Sequence, residues 1–355
     1  MNIQVIIPVY KPDDKLIKII EKLRRQTVKP AGINLIWSRK GQEEDEIVTR
    51  IKREYGDIRI LEIPVESFDH GGTRRRAVRN TPCDIFVMMT QDAVPKNDML
   101  IENLTAPLVA QMKSEEAEWD ELSAELSEDG DVPEGVQSEE SSAEIRPERA
   151  KDGSVIACVY GRQLPGKDSS PYEKLSRLHN YSELSRTKTK EDIKTLGIKA
   201  FFCSDVCCAY RRDIYEECGG FVRNTVFNED MIMARRFLDK GYAVRYEGTA
   251  AVIHSHDYGA MEQLRRNFDL GVSQAMFPDV FGGISSESEG IKFAASSIKI
   301  LLKKGRPLLI PGFCMQCFFK LVGFRLGKKY ASLPNAVIMK LTSNKNYWNN
   351  LKERK

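Results

Sequence analysis

Residues 84–93 read DIFVMMTQDA: five apolar residues, Ile85–Met89, run without a break into Thr90, Gln91 and Asp92. An apolar run of that length, bounded by polar residues, suits a strand buried on both faces of a parallel sheet. The same signature recurs upstream in IQVIIPV (3–9), INLIW (33–37) and IRILEIP (58–64). Helical patterns lie between these runs. Asp13 can cap a helix whose apolar positions Leu16, Ile19, Ile20 and Leu23 keep helical spacing, and DEIVTRIKREYG (45–56) is amphipathic and ends at a glycine. GGTRRRAVRN (71–80) reads as a glycine turn entering a helix. The resulting βαβαβαβ order predicts an α/β fold with a doubly wound sheet. Ligands of such sheets sit beyond the carboxyl ends of the strands. That rule directs attention to Val9-Tyr10, Ser38-Arg39, residues 67–72 and Thr90–Asp92.

The chain has 355 residues and a formal net charge of +3, but the charge is unevenly spread. Residues 113–152 carry 15 acids and 4 bases, whereas 299–355 carry 13 bases and one acid, Glu353. The acidic stretch 113–153 has too few apolar residues to offset its ordering entropy. It reads as a disordered loop insertion, although SEEAEWDELSAEL (114–126) can form a local helix. Beyond it come the strand-like VIACVYG (155–161), the helix-like NEDMIMARRFLDKGY (228–242), and two strand-like pieces, AVRYEG (243–248) and AAVIHSHDY (250–258). A basic helical region follows from residue 286. The expected division is a catalytic unit over 1–285 and a basic helical C-terminal extension over 286–355.

Eight scattered cysteines do not form a disulfide framework and suit a reducing cytosol. The N-terminus runs directly into an apolar strand with no basic n-region, so no signal peptide is expected. Residues 307–324 form the longest apolar candidate, interrupted by Pro311, Gly312, Gln316 and Lys320. This stretch is not expected to span a membrane; its pattern suits either an interfacial helix on a membrane surface or a helix packed on the catalytic domain. A basic, aliphatic tail suits an anionic lipid surface; it has no nucleic-acid-binding module. The predicted location is the cytoplasm, with peripheral association at the inner face of the cell membrane.

Several polar groups carry two readings each. Asp92 stands at a strand end, where it can reach a cation held by diphosphate oxygens, or it can cap a helix starting near Lys96. Gly71 and Gly72 before a basic helix allow close backbone approach to a phosphate near Arg74, or simply make a tight turn. Glu229 and Asp230 open a helix, where one can act as general base or both can serve the helix dipole. His254 and His256, at i and i+2, fall on one face of an extended segment, as metal ligands or as a hydrogen-bonded strand end. No zinc-type Cys/His spacing accompanies them.

Taken in order, VIIPVYK (5–11), FDHGGTR (68–74), MTQDAVP (89–95), VYGRQLP (159–165), CAYRRDIYEECGGF (208–221), NEDMIMARRFLDKGY and VIHSHDY (252–258) resemble the family 2 glycosyltransferases of GT-A fold, in their bacterial rhamnosyltransferase-like branch. RPLLIPGF (306–313) in the tail belongs to the same likeness. The resemblance implies a mixed sheet flanked by helices and an inverting, metal-dependent transfer from a nucleotide-diphosphate sugar to a saccharide or lipid-linked acceptor in cell-surface polysaccharide synthesis. It implies Mg²⁺ or Mn²⁺ held by Asp92 with His254 or His256, and Asp230 as catalytic base. Pro8, Tyr10, Ser38, Gly71, Gly72, Arg74, Gln91 and Asp92 would meet the donor. Arg162, Gln163, Ser204, Asp205 and Glu229 would contact substrate.

Two departures qualify the likeness. Ser38-Arg39 stands where relatives carry a base- or ribose-reading acid, and TQD has threonine at the first acidic position of the family's DxD-type motif. The first leaves the nucleotide open, with dTDP-rhamnose and UDP-sugars as the candidate donors. The second implies a weakly held cation and leaves room for a noncatalytic scaffold. A nucleotidyltransferase is disfavoured, because PVYKPDD (8–14) is not a phosphate-activating loop.

Overall fold

The computed structural model describes residues 1–42, 44–128, 154–284 and 286–353. The chain begins β1 (Ile3–Val9), α1 (Asp14–Arg24), β2 (Gly32–Arg39), α2 (Glu46–Glu54), β3 (Arg59–Pro64), α3 (His70–Arg79) and β4 (Ile85–Met89). It continues through β5 (Val94–Pro95), α4 (Leu100–Glu128), β6 (Ile156–Leu164), α5 (Pro171–Asn180), β7 (Arg186–Lys188), α6 (Ile193–Leu196), β8 (Cys207–Arg211), α7 (Arg212–Glu217), α8 (Glu229–Asp239) and β9 (Ala243–Ile253). Helices α9 (Ala260–Met276), α10 (Pro278–Phe281), α11 (Ser286–Lys303), α12 (Ile310–Lys328), α13 (Asn335–Leu341) and α14 (Lys345–Glu353) complete it.

Among the described residues, nine strands form one mixed sheet in the order β3-β2-β1-β4-β8-β6-β9-β5, with β7 also paired to β9. Strands β1–β4 are parallel; β8 runs antiparallel to both β4 and β6. The strand order reverses at β1, which has β2 on one side and β4 on the other. A crevice therefore opens beyond the carboxyl ends of β1 and β4.

Alternation along each strand separates two apolar layers. Val5, Ile7 and Val9 face α1 and α4 with Leu16, Leu23, Leu104 and Leu108. Ile6, Phe86 and Met88 face α3 and α8 with Val78, Met233 and Phe237. Each fully buried side chain of this size contributes about 1.5–3 kcal/mol. Phe86 stacks on Tyr210 at 5.0 Å between centroids, so the second layer is rigid and aromatic directly beneath α3 and α8.

Two sequence expectations change, and the local helix expected in the acidic stretch is present as part of a longer one. The acidic stretch is helical in its first part: α4 runs on to Glu128, pinned by the ion pair of Glu115 with Arg211 at 2.7 Å. Residues 129–153 of the predicted insertion lie outside the described residues. AVRYEG and AAVI are one strand, β9, whose pairing with β6 shifts register near Gly248, while HSHDY leaves the strand and follows its end. The interruptions expected in the tail do not interrupt it, because Pro311 and Gly312 occupy the first turn of α12, where a proline nitrogen needs no partner. Residues Pro307–Lys328 thus form a continuous helical stretch long and apolar enough to cross a membrane, with 11% of its most apolar window buried.

Helix α12 packs on α9 through glycines. A Cβ on Gly323 would stand 2.2 Å from the Leu264 carbonyl oxygen, and one on Gly327 would stand 2.1 Å from that of Phe268. On the facing helix, a Cβ on Gly271 would meet the Phe324 carbonyl at 2.3 Å. The two backbones are therefore nearly in contact.

Candidate active site

A cavity of about 460 Å³ lies beyond the strand ends and draws its walls from α3, α5, α8, α9, the turn after β4 and the segment after β9. Asp92 sits in the turn after β4, eight residues before α4, so it caps no helix. The turn is held by a reciprocal bond: the Tyr10 N–H donates to Gln91 Oε1 at 2.8 Å, and Gln91 Nε2 donates to the Tyr10 carbonyl at 2.8 Å. Gln91 thus ties the ends of β1 and β4 together across the sheet's reversal point. This fixes where Asp92 projects.

Asp92, His254 and His256 converge. Asp92 Oδ1 is 3.4 Å from His254 Nε2, Asp92 Oδ2 is 3.0 Å from His256 Nε2, and the two Nε2 atoms are 3.0 Å apart. The His254 tautomer follows from its neighbours. Gln163 Nε2 donates to Ser204 Oγ at 2.9 Å, and Arg177, which can only donate, bonds Gln163 Oε1. Gln163 Oε1 is therefore an acceptor for His254 Nδ1 at 3.0 Å. With the proton on Nδ1, the Nε2 lone pair faces His256 and Asp92. Burial pushes the His254 pKa down, which favours this neutral form. Burial would raise Asp92, but the two adjacent histidines outweigh it and hold the carboxyl far below its usual range. Two imidazole nitrogens and an ionised carboxylate directed at one point need a cation or a proton between them. One oxygen and two nitrogen donors suit a divalent first-row cation, so these residues fit one.

Deeper in the same cavity is a carboxylate group around Arg74. Its Nε lies 3.1 Å from Asp205 Oδ2 and its Nη1 3.0 Å from Glu229 Oε1. Tyr210 donates its hydroxyl to Asp205 Oδ1 at 2.6 Å. Asp230 accepts from the backbone N–H of Met231 at 2.8 Å and of Asp205 at 3.2 Å. One guanidinium cannot neutralise three buried carboxylates, so their protons divide unequally. Burial would raise Glu229, but Arg74 outweighs it and brings the carboxyl to about 2. Burial, reinforced by the charge of Glu229, pushes Asp230 up to about 8. Burial also raises Asp205, against the pull of Arg74. Beside them, Asn228 holds a left-handed backbone, φ 63°, with a buried side-chain nitrogen that has no partner among the described residues. Strain and an unspent donor at a cavity wall mark a place prepared for a ligand.

Nine of the residues singled out from sequence line this one cavity: Arg74, Asp92, Gln163, Ser204, Asp205, Glu229, Asp230, His254 and His256. The others stand elsewhere. Pro8, exposed Tyr10 and Gln91 sit at the crevice over β1 and β4. Ser38 is buried at the end of β2, and the adjacent Arg39 pairs with Glu62 at 3.2 Å. Gly71 packs inside the protein, where a Cβ would lie 1.9 Å from the Val222 carbonyl oxygen, and half-buried Gly72 stands against its own cap, Asp69, at the wall of a different cavity. Arg162 pairs with Glu183 at 3.1 Å outside the cavity lining. Sequence reasoning missed Arg177, Arg266, Tyr258, Asn228 and Lys320, all in the cavity wall. The spacing of Glu173 and Arg177, an i,i+4 ion pair at 2.7 Å on α5, was the available signal for one of them.

Residues 2–269 match the family described as Glycosyltransferase like family 2. The chain is 34% identical to O-antigen chain rhamnosyltransferase RfbN of Salmonella typhimurium, over 99% of this chain and 97% of that one. It is 32% identical to O-antigen chain rhamnosyltransferase WbaN of Salmonella anatum, over 92% and 89%. Among solved structures, a mannosyltransferase of Pyrobaculum calidifontis in complex with GDP-Man and Mn²⁺ aligns over 99% of this chain and 84% of its own, at 13% identity and TM-score 0.48. TarS of S. aureus in complex with UDP-GlcNAc aligns over 93% and 91%, at 10% identity and TM-score 0.47. The chain belongs to glycosyltransferase family 2.

Proposed function

From that membership, we propose that the chain is an inverting rhamnosyltransferase that moves L-rhamnose from dTDP-rhamnose to a hydroxyl of a growing cell-surface polysaccharide; two relatives named O-antigen chain rhamnosyltransferases support the sugar. The catalytic unit is residues 1–285, and the basic extension 286–355 carries the membrane-facing surface at the cytoplasmic side. The observation that carries the reading is the meeting, in one cavity, of a cation-type triad and a buried carboxylate whose proton affinity is raised toward neutrality.

Each group has a task in this reading. Asp92, His254 and His256 would hold Mg²⁺ or Mn²⁺, which would supply charge neutralisation for the diphosphate leaving group. Gln163 keeps the His254 proton on Nδ1. Arg177 and Arg266, on the same wall, add positive charge for the diphosphate. Asp230 accepts the proton of the acceptor hydroxyl as that oxygen attacks the sugar carbon from the face opposite the leaving group, which inverts the centre. General base catalysis contributes about 10²–10⁴ in rate. Arg74 keeps Glu229 ionised, and Glu229 in turn keeps Asp230 basic.

The test is a donor panel with Mg²⁺ or Mn²⁺, read as release of nucleoside diphosphate and as sugar transfer. dTDP-rhamnose should turn over fastest. Faster turnover of a UDP-sugar would replace the donor assignment, as Ser38-Arg39 in place of an acid at the end of β2 allows. Asp230→Asn should abolish transfer while donor binding survives, and near wild-type turnover would remove Asp230 from the role.

A further inference from the structure

Behind the wall of the catalytic cavity lies a cluster of thiols that the transfer reaction does not use. Cys158 on β6, Cys208 on the neighbouring strand β8 and Cys203 in the turn before β8 all belong to the aromatic layer beneath α3 and α8. Cys158 and Cys208 are fully buried and Cys203 is 2% exposed. Their sulfurs lie within 4.8 Å of one another, with those of Cys203 and Cys208 3.5 Å apart. A zinc-type cation bonds sulfur at about 2.3 Å, which sets the sulfurs of a three-thiolate site about 3.8–4.0 Å apart. The cluster is therefore already close to ligand spacing.

The charge beside it points the same way. Lys188 of β7 is buried, and its ammonium donates to the Tyr160 hydroxyl at 3.0 Å and to the carbonyls of Lys199 at 3.1 Å and Phe202 at 2.6 Å, all neutral oxygens. Asp192 acts on it only from beyond ion-pair distance and is itself paired with Arg186 at 3.0 Å. Burial pushes the Lys188 pKa down to about 8, and thiolate charge on Cys203 and Cys158 is the strongest influence against that fall. A buried cation held by neutral groups is stabilised by one negative charge arriving close by. Three thiolates around a divalent cation carry one net negative charge, which Lys188 balances. With a monovalent ion, one negative charge would stay buried without a counter-charge.

We propose that Cys158, Cys203 and Cys208 form a site for a divalent thiophilic cation of the zinc class, and that its occupancy restrains catalysis. Binding releases the three thiol protons to solvent as the sulfurs take up the cation. Cys203 is also a wall residue of the catalytic cavity, which gives the cation a way in. The two residues after it belong to the hydrogen-bond network of the active site: Ser204 accepts from Gln163 at 2.9 Å, and the Asp205 N–H donates to Asp230 at 3.2 Å. Drawing Cys203 onto a metal therefore shifts the groups that orient His254 and hold Asp230. The site is separate from the Asp92 triad, whose oxygen and nitrogen donors suit a harder ion.

The probe is Cd²⁺, added to reduced full-length protein while thiolate-to-metal charge-transfer absorption is followed. One equivalent should saturate the band, and Zn²⁺ should displace it. Altering only the partners of a metal's ligands costs about 10–100-fold in affinity, so Cys158→Ala and Cys208→Ala, which remove a ligand, should each weaken Cd²⁺ binding about 10²-fold or more. Cys207→Ala should not, because that thiol lies in the layer on the other face of the sheet. With Mn²⁺ saturating, Zn²⁺ should lower nucleoside diphosphate release to a plateau that further Mn²⁺ does not lift, and Cys158→Ala should resist this inhibition. Inhibition that Mn²⁺ lifts would place the ion at the Asp92 triad and overturn the restraint on catalysis. Should a variant fail to fold, X-ray absorption of the Cd²⁺-loaded wild type decides instead. Three sulfurs around the ion support the site; two, as Cys314 and Cys317 of α12 could supply, or none would overturn it. The binding arms need no turnover, so failure of every donor would overturn the transferase reading and leave the cation site to be decided by them.

Discussion

Asp230 lies near neutrality because it is buried and because Glu229 keeps its own negative charge against Arg74. Removing that neighbouring charge by Glu229→Gln should therefore make Asp230 more acidic, and it leaves Arg74 free to act on the remaining carboxylates. With a pKa of about 8, roughly one molecule in ten carries Asp230 ionised at pH 7 and about nine in ten at pH 9. The kcat of the wild type should rise about tenfold across that interval and then level off. In Glu229→Gln the midpoint of the rise should move acidward by about one pH unit or more. The assay is nucleoside diphosphate release at saturating donor and acceptor from pH 6 to 9.5, read for the shape of the curve rather than its height. A midpoint that stays in place, or moves alkaline, would refute the coupling. Stability supplies an independent readout. A carboxyl whose folded pKa exceeds its unfolded one binds more protons folded, so its contribution falls as pH rises from about 4 to about 8. Asp230→Asn removes that decline, and its Tm should match or exceed the wild type's at pH 8.5 even as transfer is lost.

Asp92→Ala should abolish the dependence of donor affinity on Mn²⁺ concentration, measured by titration of donor binding with and without the ion; an unchanged titration would take Asp92 out of the triad. Gly71→Ala places a methyl against the Val222 carbonyl and should cost about 1–3 kcal/mol, seen as a lower midpoint in urea. Gly327→Val forces α12 off α9 and should lower Tm and expose the tail to protease, whereas Gly290→Ala, where a Cβ has open space, should do neither.

The first half of the sheet was legible because each parallel strand is a short apolar run and each helix between them carries its own cap and stripe. Asp13 caps α1 as expected, and Asp45 caps α2 in the same way. The meeting of Asp92 with His254 and His256 was legible only through the order of motifs, since 161 residues separate Asp92 from His254 and no local pattern reports that closure. The glycines of HGGTR show the limit of that reasoning. A paired glycine reports that something approaches the backbone, and here Val222 and Asp69 are what approaches. Arg177 and Lys320 escaped notice for a different reason. Arg177 lies on an ordinary amphipathic helix and Lys320 on a largely apolar one, and only the packing of α5 and α12 around the cavity turns them inward. Gln91 looked like a member of a metal motif, while its side chain fastens two strand ends by backbone hydrogen bonds.

The glycine contact between α9 and α12 bears on how the chain can be divided. Gln263, Arg266, Asn267 and Leu270 of α9 face the cavity, while the carbonyls of Leu264 and Phe268 on its other side press on Gly323 and Gly327. The helix that walls the substrate is thus clamped from outside by the extension. A protein cut at residue 285 would keep every acid and histidine of the site, yet lose the splint that holds α9 upright. What composition marks as an appendage behaves mechanically as the site's outer buttress, and any load on α12 is felt by the substrate wall.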